Sequence, residues 1–213
     1  MANAITVIRV LALFGVVGIM YFGSAAAAQW CGLYIGIIIF ADAVDGWVAR
    51  KLGEVNQFGA IFDIVGDRVV ENVLWVVFAD LDLVPLWVPL LVLTRGFVVD
   101  GLRSSGYSEG MTPFGEKNIM RSAFTRWLTG GRFMRAFFGT VKALGFVFLA
   151  MLWATDLPHD THLLVDTLLA PAAVRATGWI LVWSAVVLTV IRAIPVIIDS
   201  VAYLKTKTAT EAA

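Results

Sequence analysis

The chain has 213 residues, 60% of them hydrophobic, and zero formal net charge. Mean hydropathy is +0.85, whereas ordinary soluble domains are only about 45–50% apolar. Composition therefore points away from a soluble domain and toward a helical bundle in lipid. The balanced charge gives no sign of nucleic acid or another polyanion as partner. The single cysteine, Cys31, excludes an intramolecular disulfide and reads as a small apolar residue near a helix end.

A spanning helix needs about 20 mostly apolar residues, and six stretches meet that in chain order. They run from about Asn3 to Gly23, Trp30 to Lys51, Gln57 to Ala79, Leu83 to Arg103, Phe133 to Ala154 and Ala176 to Leu204. The first ends in GSAAAAQW, which also resembles a signal-peptidase site. It lacks a basic leading region, and Arg9 interrupts its apolar run. Basic residues mark the cytoplasmic side. Arg50 and Lys51 follow the second stretch. Arg103, Lys117, Arg121, Arg126, Arg132 and Arg135 lie around the fourth-to-fifth connection, and Lys205 and Lys207 follow the sixth. The opposite loops carry mainly Asp80, Asp82, Asp156, Asp160 and Asp166, with Arg175. The expectation is an all-α polytopic membrane protein. Six transmembrane helices form one bundle over residues 1–213, and both termini are cytoplasmic.

The membrane-embedded charges share one level. Asp42 lies roughly 12 Å from Arg50 along its helix. Asp63 and Asp67 enter the next helix at similar depth. Arg9, Arg95, Asp100, Arg103 and Lys142 fall on the same cytoplasmic side. Each such group is costly in hydrocarbon, so they should face one another or a wet cavity. Asp42 and Asp45 are three apart, and Gly59, Asp63, Asp67 and Glu71 are each four apart, so each set shares a helix face. Facing carboxylates repel. Divalent cations resolve that repulsion, and hard oxygen donors suit Mg²⁺ or Mn²⁺. His159 and His162 lie in an outer loop and read as solvated. Gly46, Ala49 and Gly59 read equally as close helix packing or as a floor for a flat ligand.

These residues resemble a known family. Asp42-x2-Asp45-Gly46-x2-Ala49-Arg50-x8-Gly59-x3-Asp63-x3-Asp67 is similar to the signature of the CDP-alcohol phosphotransferases at every fixed position. The resemblance implies transfer of a phosphatidyl or related group from a CDP-linked donor to an alcohol, with release of CMP. It implies a two-ion Mg²⁺ or Mn²⁺ site held by Asp42, Asp45, Asp63 and Asp67, with Asp67 as general base. It places Gly46, Ala49 and Gly59 against the cytidine and Arg50 near the nucleotide. Asn3-x2-Thr6-x2-Arg9 looks like the family's usual opening and adds Thr6 to the donor-binding set. Thr6 alone also reads as bonding back to its own helix, and Arg9 as a site residue or a snorkelling one.

Arg95 and Arg103 stand eight apart, roughly two turns, and with Lys142 they suggest a cationic cluster for an acceptor phosphate. The alternative is that Arg95 or Arg103 pairs with Asp100 or Glu71. The pattern resembles the phosphatidylglycerophosphate synthase branch, which implies CDP-diacylglycerol and glycerol 3-phosphate as substrates. A long basic segment, Ser104 to Arg132, and a lysine motif reduced to Gly139 and Lys142 depart from that branch. They keep inositol 1-phosphate as an alternative acceptor. That segment reads as an interfacial helix on anionic lipid or as a solvated loop. The resemblance further implies a homodimer. The expected location is the plasma (inner) membrane, with the site facing the cytoplasm. A divalent-cation transporter is the rival class, because intramembrane carboxylates also mark ion pathways. Charges confined to one level of the membrane argue against it.

Overall fold

Helix is the element that satisfies every backbone hydrogen bond within its own segment, as lipid requires. The structure, a computed structural model, describes residues 2–52, 57–107, 123–159 and 162–211. All the regular elements among them are helices: α1 Ala2–Phe22, α2 Ala25–Ala28, α3 Cys31–Leu52, α4 Gln57–Asp80, α5 Trp87–Tyr107, α6 Ala123–Gly130, α7 Arg132–Asp156, α8 Leu164–Leu169 and α9 Ala172–Glu211. Among the described residues three stretches are long and apolar enough to cross a membrane, Ile5–Phe22, Arg132–Asp156 and Ala172–Leu204, and Ala25–Ala41 is a shorter apolar one. Large apolar side chains point outward, among them Leu11, Phe22, Phe40, Phe97, Phe133 and Ile198. Such a surface suits lipid as solvent. The protein is an all-helical membrane protein.

Local sequence sets the helix ends. A Cβ on Gly23 would stand 2.5 Å from the Ile19 carbonyl oxygen, and one on Gly131 would stand 2.4 Å from that of Trp127. Only glycine fits either position. The last turn of α4 closes on Asp82, whose φ is 60°, with Asp82 N–H donating to Ala79 O and Leu83 N–H to Phe78 O. That is a Schellman closure, and a short polar side chain tolerates its left-handed residue. The fourth apolar stretch was expected from Leu83, but α5 begins at Trp87. Pro85 keeps its predecessor out of helical geometry, and Pro89 sits in the first turn, where no N–H is needed. Pro195 lies inside α9 and has no N–H to donate to Ile191.

The chain divides into two units, Met1–Pro89 with Lys142–Val182, and Leu90–Val141 with Trp183–Ala213. In the first unit α1 packs against α2, α3 and α4. Phe146 of α7 meets Trp75 edge-on at 4.9 Å between ring centres and Phe78 at 5.8 Å. Trp153 donates its indole N–H to Met20 O at 3.1 Å, tying α7 to α1. Glycines permit close approach: a Cβ on Gly32 would stand 2.8 Å from Met151 Cγ, and one on Gly178 would stand 2.2 Å from the Phe148 ring. Asp166 near the start of α8 accepts the Leu163 N–H at 2.8 Å and bonds His159 Nε2 at 3.0 Å. The Leu163 N–H, followed by His159, holds its carboxyl below the usual carboxylate range. His159 is therefore an anchor of its loop, whereas a solvated side chain was expected. His162 remains exposed.

In the second unit Val99 of α5 packs with Ala193 and Val196 of α9. Arg192, buried on α9, donates to Thr129 O at 2.9 Å and Met134 O at 3.3 Å and lies 4.8 Å from the Phe138 ring centre. Thr129 is in the last turn of α6, so the guanidinium satisfies a carbonyl left over at that end. Thr125 donates to Asp199 at 3.0 Å, giving α6 a second tie to α9. Arg126 and Trp127 stay exposed on α6.

The Gly178–Phe148 contact sets one test. Gly178→Ala should cost about 1–3 kcal/mol, as overpacking does, and lower the thermal unfolding midpoint in detergent. Phe148→Leu in the same chain should recover part of the loss. An unchanged midpoint in Gly178→Ala would contradict this packing.

Candidate active site

Three residues on α4 and one on α1 form the centre. Asp63, Asp67 and Glu71 are each four apart, one turn of α4, and share its face. Arg9 comes from α1 and is almost fully buried, its side chain 6% exposed. Arg9 Nη2 donates to Asp67 Oδ1 at 3.1 Å, and Nη1 lies 3.7 Å from Asp63 Oδ1. The two aspartates are about half exposed, at 46% and 51%. One guanidinium thus spans two carboxylates. A buried cation needs such partners, and two nearby carboxylates need a shared positive charge.

Gly66 makes this arrangement possible. It is buried, and a Cβ there would stand 2.4 Å from Thr6 Cγ2. Thr6 is 5% exposed, on α1 one turn before Arg9. The missing side chain lets α1 lie close to α4 and brings the guanidinium within reach of both aspartates. Thr6 is therefore packed between α1 and α4.

One turn beyond Asp67, Glu71 is also buried, at 6% exposure. It accepts from Arg68 Nη1 at 3.3 Å and lies 3.1 Å from Lys142 Nζ of α7. Sequence offered Glu71 as a partner for Arg95 or Arg103. Arg68 and Lys142 are among its partners. Nothing in the spacing of residues 71 and 142 signals that pairing, because it depends on the rotation of α7 against α4.

The other candidates lie as follows. Asp42, Asp45, Gly46, Ala49 and Arg50 are on the last turns of α3, with side chains outside the described residues. Gly59 is in the first turn of α4. Arg95 and Arg103 are on α5, the second with its side chain outside the described residues. Much of the Ser104 to Arg132 segment, residues 108–122, is also outside them, and α6 occupies 123–130. Among the described residues no group of three His, Cys, Asp or Glu side chains is gathered for a metal. Asp63 and Asp67 are half-exposed on one face, and carboxylate oxygens are the hard donors that Mg²⁺ or Mn²⁺ takes. Gly66, Arg192 and Asp199 went unread in the sequence. Arg192 did leave a signal, a lone arginine inside the last apolar run.

The sequence profile described as CDP-alcohol phosphatidyltransferase matches residues 1–191, and the chain belongs to that family. The family generally depends on divalent metal. Among its relatives, a CDP-diacylglycerol--glycerol-3-phosphate 3-phosphatidyltransferase of Bacillus subtilis (strain 168) is 35% identical over 81 residues, 38% of this chain and 42% of the relative. A protein of the same name from Rickettsia typhi is 29% identical over 101 residues, 47% of this chain and 57% of the relative. The CDP-diacylglycerol--inositol 3-phosphatidyltransferase 1 of Arabidopsis thaliana is 50% identical over 40 residues, 19% of this chain and 18% of the relative. The chain spans about half the length of the bacterial relatives it matches.

The α1–α4 approach can be tested by a paired substitution. Gly66→Ala should lower stability by about 1–3 kcal/mol. Thr6→Ser removes the methyl that the new Cβ meets, so the double variant should regain most of the loss. Strictly additive losses in thermal unfolding would contradict the contact.

Proposed function

We propose that the chain transfers a phosphatidyl group from CDP-diacylglycerol to glycerol 3-phosphate and releases CMP. The observation that carries this reading is the Asp63–Asp67 pair on one face of α4, spanned by buried Arg9, within the family's motif. The names of the bacterial relatives support the acceptor. Six spans, α1, α3, α4, α5, α7 and α9, suit helices of 21 or more residues, since 21 residues rise roughly 31 Å. With the basic residues of the connections inside, both termini and the site face the cytoplasm of the plasma membrane. One domain, 1–213, working as a homodimer, completes the reading.

In the reaction, the acceptor hydroxyl oxygen attacks the phosphorus that carries the diacylglycerol. The bond from that phosphorus to the CMP oxygen breaks, and CMP leaves with the bonding pair. Asp67 takes the hydroxyl proton. Asp42, Asp45, Asp63 and Asp67 would hold two divalent ions, Mg²⁺ or Mn²⁺, which would supply positive charge to the diphosphate and the departing CMP. Gly46, Ala49 and Gly59 receive the cytidine, with Arg50 and Thr6 beside the donor. Arg95, Arg103 and Lys142 take the acceptor phosphate, where arginine forks and an ammonium suit its oxygens. Rate comes mainly from positioning and charge stabilisation. The Arabidopsis relative favours a second reading with an inositol acceptor, for which inositol 1-phosphate would use the same cations.

Purified protein with Mg²⁺, CDP-diacylglycerol and glycerol 3-phosphate should release CMP. Chelation should stop release, and Mg²⁺ should restore it. Asp67→Asn should slow turnover by about 10²–10⁴-fold while CDP binding persists. Lys142→Ala should raise the acceptor KM. Release only with inositol 1-phosphate would replace the acceptor. Metal flux into liposomes without nucleotide, and no CMP, would replace the enzyme with a transporter.

A further inference from the structure

Glu71 is not part of the aspartate motif, yet it is the more deeply buried carboxylate on that face of α4, 6% exposed. A carboxylate there needs cationic partners, because burial penalises its charge. Arg68 lies against it at 3.3 Å from its own helix and Lys142 at 3.1 Å from α7. The trio carries one net positive charge. It also keeps two like charges from repelling each other across the helix interface.

We propose that Glu71 is a positioning residue for acceptor binding: it fixes the Lys142 ammonium in place to meet the acceptor phosphate. This rests on the reading that Lys142 binds that phosphate. A lysine has a four-carbon stem with much rotamer freedom, and ordering it during binding weakens affinity. With Glu71 that ordering is already present in the folded protein. An ammonium has three donors, so one on a carboxylate does not exclude a phosphate oxygen on another. The competing idea is that Glu71 occupies the phosphate's place and must be displaced. The two ideas predict opposite signs.

The test measures the acceptor and donor KM values, kcat and direct glycerol 3-phosphate binding for Glu71→Gln and Glu71→Asp. Glu71→Gln should raise the acceptor KM and Kd roughly tenfold, the scale of one charged hydrogen bond, and leave the CDP-diacylglycerol KM unchanged. Glu71→Asp keeps the charge and should recover part of the loss. In the Lys142→Ala background Glu71→Gln should add no further acceptor effect. An unchanged or lowered acceptor KM in Glu71→Gln overturns the proposal, as does a fully additive double variant. If Glu71→Gln does not fold, Glu71→Asp still decides, because an acceptor KM equal to the parent's or below it also overturns it. Lys142→Ala with an unaltered acceptor KM would instead remove the underlying reading of Lys142.

Discussion

A guanidinium buried in an apolar bundle must be paired, and much of the centre follows from that one requirement. Arg9 sits one-third of the way along a helix otherwise rich in Leu, Val and Ile. In lipid it would be costly and would snorkel or find partners. It finds Asp63 and Asp67. Those two could not easily be ionised one turn apart without a shared cation. The arginine and the aspartates therefore stabilise one another, and they fix the rotation of α1 against α4. Gly66 and Thr6 then set the distance.

A second consequence concerns what the centre can bind. Arg9 is buried and the aspartates are half open, so the protein's own cation offsets their charge from the inward side. Neutralising one side by protein charge lowers the repulsion that an anionic diphosphate would meet. The Glu71 trio repeats this logic one turn deeper with the signs reversed, one carboxylate between two cations. The ionisable groups of α4 that meet Arg9 and Lys142 lie in adjoining turns.

Helix identity was legible in the sequence because lipid forces it. Apolar runs of about 20 residues have few alternatives, and the helices at Ala2–Phe22, Cys31–Leu52 and Gln57–Asp80 start and stop close to their expected ends. The shift of α5 to Trp87 was also written locally, in Pro85, but hydropathy alone passes over a proline among leucines and valines. The acidic face of α4 was legible from its four-residue repeat. What lay beyond reach was rotation between helices. No spacing tells that Lys142 meets Glu71, or that Arg192 reaches the carbonyls of Thr129 and Met134. Gly66 was hidden for the same reason: a glycine between two motif aspartates looks incidental until Thr6 is placed against it.

The most direct measurement is anomalous scattering from Mn²⁺ in crystals of this protein grown with CDP. Metal peaks are expected within coordination distance of the Asp63 and Asp67 carboxylates, with the CDP phosphates on the same ions. Metal bound elsewhere, with none at Asp63 or Asp67 and CDP away from them, would contradict it.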